Sequence, residues 1–258
     1  INTGMRFRLD LAYKGKDYRG FQSQPHGQTL QQAIEKSLKQ VLGEVVKVES
    51  CGRTDAGVHA LMHVLHIDVF AERALLRILK KDFILKINAV LPDSITVTSL
   101  KKVKDSFQAR KQAHQKTYAY YLFASSKKNP FIEDYATRIP KTLNLAAMEK
   151  AAKHLTGKHD FSAFCASDST ANTKTRELLE IKILKKCPAP VFKLKGEVYY
   201  CLKFTGKGFL KQMVRNLTGI LVAVGQGKLT PTEAKQVLKS KDRRKAPATA
   251  AAKGLFLE

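Results

Sequence analysis

The chain is short of acidic residues, of cysteine and of long apolar runs. Aspartate and glutamate number 22 against 46 lysines and arginines, a formal net charge of +24. A polypeptide this basic tends to meet a polyanion, most often nucleic acid; the plain alternative is a solubilising surface. The cysteines are Cys51, Cys165, Cys187 and Cys201, with no Cys-x-x-Cys pair and no Cys/His cluster at zinc spacing. Four cysteines in 258 residues make no disulfide framework, which points to a reducing compartment, and the expected location is cytoplasmic. No apolar run is long enough to span a bilayer, and the first residues have no apolar leader core. No phosphate-cradling Gly-x-x-x-x-Gly-Lys loop or dinucleotide fingerprint supports an enzyme of small anionic metabolites. Low-complexity tracts and sequence-level repeats are absent too. "INTG", ahead of Met5, is left out of the fold reasoning.

What is there suffices for a sizeable core, since 44% of the residues are hydrophobic. "MRFRLDLAY" (Met5 to Tyr13) alternates apolar and polar residues and predicts a strand. "TLQQAIEKSLKQVLG" predicts a helix. Thr29 and Gln32 make a capping box; Leu30, Ala33, Ile34, Leu38, Val41 and Leu42 share one face; Gly43 ends it. "EVVKVES", "LMHVLHIDVF" and "SITVTSLKKV" predict strands, and "ERALLRILKKDFILKINAV" one helix stopped near Pro92. The order β-α-β-β-α-β is the ferredoxin-like split βαβ pattern. The second half starts the same order again. "KTYAYYLFA", "RELLEIKILKK" and the hairpin-like "VFKLKGEVYYCLKFTG" predict strands. "LNLAAMEKAAKHLTG", "FLKQMVRNLTGILVAVG" and "TEAKQVLKS" predict helices, and "GLFLE" a closing strand. The expected class is α+β: two ferredoxin-like (RRM-like) halves, residues 5–105 and 106–258, with antiparallel sheets meeting around a central cleft.

The segment with the most chemical content is "CGRTDAGVHA", Cys51 to Ala60, a loop between two predicted strands. Gly52 and Gly57 permit backbone conformations that other residues resist. A guanidinium at Arg53 would keep the Asp55 carboxylate ionised and oriented by opposite charge and bidentate hydrogen bonds. A carboxylate so aimed can act as nucleophile or general base. The alternative is a surface turn in which Asp55 accepts from backbone amides, and spacing alone favours it. Tyr118 and Tyr120 share one face of their strand and Tyr121 takes the other. Exposed aromatics on a basic sheet stack on bases, though core packing explains most such rings. "KKVKDSFQARKQAHQK" sets Lys101, Lys102, Lys104, Arg110, Lys111 and Lys116 against Asp105 alone, a track for phosphates or a solvated face. Arg215 interrupts an otherwise apolar helix, so it either snorkels to the surface or meets a partner at the cleft. Arg243, Arg244 and Lys245 form a further basic group before a Pro/Ala loop. His63 and His66 have no carboxylate ligands at useful spacing, so no metal is expected.

Together these blocks resemble the TruA family of tRNA pseudouridine synthases. "GRTDAGVHA" is similar to its active-site signature, "YKGKDYRGFQ" to its first-strand motif, and "FQAR" with "KTYAYYLF" to its tyrosine-bearing strand. "GKHDFSAF", "FLKQMVRNLTG" and "APATAAAKGLFL" follow in order, so the resemblance runs from Met5 to the last residue. It implies that Asp55 is the catalytic aspartate, Arg53 its paired arginine, Tyr118 the ring packed on the target uracil and Arg215 a second active-site arginine. From "GRTDAGVHA" it implies isomerisation of uridine in the anticodon arm of tRNA, at tRNA positions 38, 39 and 40. It also implies a homodimer with RNA running across both subunits, and neither cofactor nor metal. Lys14, Phe21, Met62, His63 and Gln108 depart from residues usual in that family and bear on RNA positioning more than on chemistry. The rival class is a non-catalytic basic RNA-binding scaffold or chaperone. RRM signature runs are absent, and the Arg53-Thr54-Asp55 loop would have no purpose in one.

Overall fold

The computed structural model describes residues 4–186 and 193–258; Cys187, with Val191 and Phe192 of the expected hairpin segment, lies outside the described residues. The fold is mixed α+β with mostly antiparallel strand pairing. Contacts divide it into two compact units, residues 1–114 with 257–258, and residues 115–256.

In the first unit β1 (Met5–Tyr13), β3 (His59–Val69) and β4 (Ile95–Val103) lie in the order β4-β1-β3, and a two-residue β2 (Glu49–Ser50) pairs with β3. β1 is central because its alternation is carried through. Phe7, Leu9, Leu11 and Tyr13 are buried on one face, and Leu9 stands opposite Leu65 on one side and Leu100 on the other. α1 (Leu30–Leu42) starts at the Thr29/Gln32 capping box and stops at Gly43, which adopts the left-handed conformation at φ 75°.

Two predicted elements are shorter than expected. Within "EVVKVES" only Glu49 and Ser50 are strand, because Val48 spends its N–H on Glu35 Oε1 of α1 (3.0 Å). The helix predicted for "ERALLRILKKDFILKINAV" is two, α2 (Glu72–Ile78) and α3 (Phe83–Val90). The buried residues are Ala74 and Ile78, then Phe83 and Ile87. The five-residue step from Ile78 to Phe83 would rotate an unbroken helix off its apolar face, and the break restores the alignment.

The expected junction at 105/106 also shifts, since residues 106–114 go with the first unit. Arg6 of β1 donates to the carbonyls of Asp105 and Phe107 (2.8 and 2.7 Å), and Ala109 donates its N–H to His66 Nδ1 (3.4 Å).

In the second unit β5 (Lys116–Ala124) pairs with β9 (Val198–Gly206), β9 with β8 (Thr175–Leu184), and β8 with β7 (Gly157–Asp160), all antiparallel; β6 (Thr137–Ile139) runs parallel to β5. The helices are α4 (Leu145–Leu155), α5 (Met213–Gly225) and α6 (Pro231–Ser240), and β10 (Leu255–Leu257) closes the chain. α5 is buried around most of its circumference and starts later than expected, because Gln212 sits at φ 60° just before it. No helix among the described residues is long and apolar enough to cross a membrane.

Tyr120 is fully buried in β5, and its hydroxyl donates to Ala251 O (2.7 Å) and meets Thr137 Oγ1 (2.7 Å). Burial pushes its phenol up from 10.0 to about 12, against the opposing hydrogen bond from Thr137 and the nearby Arg215 charge. Between these values the unfolded chain sheds a proton that the folded chain keeps. Stability therefore falls by about 2–3 kcal/mol as pH rises from roughly 10 to 12. Urea titrations across that window should show the slope in the wild type. Tyr120→Phe should lose it, at a cost of about 1–3 kcal/mol at neutral pH for stranding the Ala251 carbonyl.

Candidate active site

The loop between β2 and β3 is anchored by the residue between its two charges. Thr54 is 5% exposed; its Oγ1 lies 2.8 Å from Tyr13 Oη, which in turn lies 2.7 Å from His63 Nδ1. The Phe21 ring packs on His63, tilted by 31° with ring centroids 4.4 Å apart. The backbone is held as well. Phe21 N–H donates to Thr54 O (3.1 Å), Gly57 N–H to Tyr18 O (3.3 Å) and Cys51 N–H to Val64 O (2.8 Å). Gly20 lies at φ 93°, where a side-chain carbon would come within 2.9 Å of Thr54 O, and one at Gly15 would meet Val58 O at 1.9 Å. The segment 15–21 is thus glycine-bearing because it lies directly against the signature loop.

With Thr54 turned inward, its neighbours are left at the surface: Arg53 is exposed and Asp55 half-buried. The expected bidentate pair is not formed. Among the described residues Arg53 makes no ion pair with Asp55, which has other interactions of its own. Arg110, in the same unit, is exposed, as are Lys101, Lys102, Lys104 and Lys111.

The other predicted residues belong to the second unit. Tyr118 is 8% exposed, stands opposite Phe204 in the β5/β9 register, and meets Phe209 edge to face at 5.2 Å. Tyr121 packs edge-on against Phe256 at 5.4 Å. All three strand tyrosines are therefore covered rather than exposed. Lys116, at the start of β5, is half-buried.

Arg215 sits in the first turn of α5 and donates from Nε to Ala250 O (2.7 Å), while Ala250 N–H donates to Arg215 O (3.2 Å). The next residue, Asn216, accepts from Arg243 Nη2 (3.0 Å) and Thr249 Oγ1 (2.7 Å) and donates to Phe164 O (2.8 Å). A side-chain carbon at Gly219 would lie 2.4 Å from Ala248 O. The Pro/Ala loop is thus strapped along α5, and Arg243 clamps it by donating to the Ala246 and Pro247 carbonyls, Asn216 and Thr249. Sequence reasoning missed Thr54, Tyr13, Asn216 and Thr249. Two glycines, at 15 and 20, were the only local signal of the close approach at the loop.

These features define a class. The family model for tRNA pseudouridine synthase matches residues 11–110 and 151–258, so the chain belongs to that family. Over 98% of its length it is 37% identical to tRNA pseudouridine synthase A of Staphylococcus saprophyticus, covering 90% of that protein. It is 36% identical to the proteins of that name from Streptococcus thermophilus and an Exiguobacterium species, covering 98% and 96% of them.

With Thr54 as the anchor, Thr54→Val should destabilise the protein by about 1–2 kcal/mol in urea unfolding, by removing the buried hydrogen bond to Tyr13 and leaving its hydroxyl with the His63 contact. Thr54→Ser, which keeps the hydroxyl, should recover most of the loss. Equal losses in both would assign the anchoring to the methyl group instead.

Proposed function

We propose that the chain isomerises uridine to pseudouridine in the anticodon arm of tRNA, with Asp55 as the catalytic carboxylate. The observation that carries this reading is the unbroken Gly52–Ala60 signature, with Thr54 buried and Asp55 left half-exposed beside it. The net charge of +24 suits a polyanionic substrate. The strand order β4-β1-β3 with β2 on β3 supports a ferredoxin-like first half, and the reading takes the second unit as a second such half. The family resemblance further supports a homodimer.

The reaction exchanges a C–N glycosidic bond for a C–C bond. Uracil leaves C1′, turns, and rejoins C1′ through C5; the C5 proton is lost and N1 gains one, so atoms and electrons balance without a redox partner. The target base leaves its stack at a cost of a few kcal/mol. Asp55 acts at the sugar, either attacking C1′ or removing the C2′ proton to give a glycal. Arg215 places positive charge against the developing negative charge of the uracil leaving group. Tyr118 lends its ring to the base and is a candidate to take the C5 proton. Arg53 fills the space of the extruded nucleotide, while Arg110 and Lys116 bind phosphate.

Tritium placed at C5 of tRNA uridines should be released to water by the wild type and stay in place with Asp55→Asn, which should bind tRNA nearly as well. Substantial release by Asp55→Asn would remove Asp55 from the mechanism. No release by the wild type, with binding intact, would favour the scaffold reading. Tyr118→Phe should bind tRNA normally and turn over more slowly; a wild-type rate would restrict Tyr118 to stacking. Replacing Lys101 and Lys102 together by Ala should weaken binding and reduce the slope of log K against log salt by about 2.

A further inference from the structure

The cationic loop that follows β4 has little structure of its own. Its internal backbone bonds run from Phe107 N–H to Lys104 O (2.8 Å) and from Gln112 N–H to Gln108 O (3.0 Å). The guanidinium of Arg6 ties it to the sheet at two carbonyls. Arg6 donates from Nε and Nη2 to the two carboxylate oxygens of Asp68 (2.7 Å each), across the β1/β3 register in which the two residues stand opposite. The remaining nitrogen, Nη1, donates to the carbonyls of Asp105 (2.8 Å) and Phe107 (2.7 Å). The carboxylate orients the fork, and the fork captures the loop.

A second contact closes the arrangement. The Phe107 ring meets His66 edge-on at 6.0 Å, and His66 Nδ1 accepts the Ala109 N–H. Burial, aided by the Arg6 charge, holds the His66 pKa below its ordinary value despite the opposing Glu49 and Asp68 carboxylates. The ring is therefore neutral, and its acceptor available, at neutral pH. Along the loop so held runs an open groove of about 850 Å³, lined by Met5, Lys102, Lys104, Asp105, Phe107 and Gln112.

We propose that Arg6, oriented by Asp68, is a positioning residue for RNA binding. By holding the Asp105 and Phe107 carbonyls, it presents Lys104, Arg110 and Lys111 together with Lys102 as one preformed phosphate-binding edge. The proposal rests on the reading of the substrate as tRNA. The physical reason is preorganisation. A loop that must order on binding spends part of its interaction energy doing so, and a clamped loop does not. Arginine is required here, because a lysine ammonium cannot engage a carboxylate bidentately and reach two carbonyls at once.

The test compares wild type, Arg6→Lys, Lys104→Ala/Arg110→Ala, and the combination of all three changes. Arg6→Lys keeps the charge and is expected to remain folded, which the melting transition checks; Asp68→Asn is a second variant that loosens the same clamp. Arg6→Lys should raise the Kd and KM for tRNA about tenfold with kcat within about twofold. Amide hydrogen exchange should accelerate at residues 105–112 and stay unchanged in β3. In the Lys104→Ala/Arg110→Ala background the added effect of Arg6→Lys should nearly vanish, because it acts through those cations. Additive effects, an unchanged Kd with a loosened loop, or a loss confined to kcat would each overturn the proposal. Absence of pseudouridine formation by the wild type would instead count against the assigned reaction, while the binding and exchange measurements still read the clamp.

Discussion

The hydroxyl of Thr54, buried 2.8 Å from that of Tyr13, is the contact on which the first unit's candidate site depends. It joins a loop with no regular structure to the central strand of a sheet. The β1 strand is itself held by register on both sides, Leu9 facing Leu65 and Leu100. With Thr54 buried, Arg53 beside it is exposed and Asp55 half-buried. Among the described residues no ion pair joins Arg53 to Asp55. The glycines at 15 and 20 follow from the same constraint, since any larger residue would push the loop off its support.

The second unit solves a related problem with different means. α5 is buried on nearly every side, so a cation on it must be satisfied locally or at an edge. Arg215 sits in its first turn and gives Nε to the Ala250 carbonyl, while Asn216 gathers Arg243, Thr249 and Phe164 into one polar knot. The strap from Ala246 to Ala251 is built of small residues and runs close to the helix at Gly219. The left-handed Gln212 ahead of α5 is a backbone conformation that costs free energy outside glycine, which places local strain beside the Arg215 turn.

Much of this was legible beforehand where information is local. The capping box at Thr29, the left-handed stop at Gly43, the alternation of β1 and the aromatic strand β5 are short-range properties of the chain, and they stand where expected. Predictions failed where a distant group competed for the backbone. Glu35 takes the Val48 amide and shortens β2. Glu49 was invisible as a neighbour of His66 because the two meet across a strand register, 3.5 Å apart, and not at any sequence spacing.

The sequence by itself determined the family, the basic character and the identity of the signature residues, because these reside in residue types and their order. It did not determine that Thr54 is buried against Tyr13, that no ion pair joins Arg53 to Asp55 among the described residues, or that Arg243 clamps the loop along α5. Only the tertiary structure decided those, because each depends on which donor reaches which acceptor first once strands and helices are packed. The number of acceptors near a guanidinium or a hydroxyl is set by chain segments that composition and periodicity do not bring together.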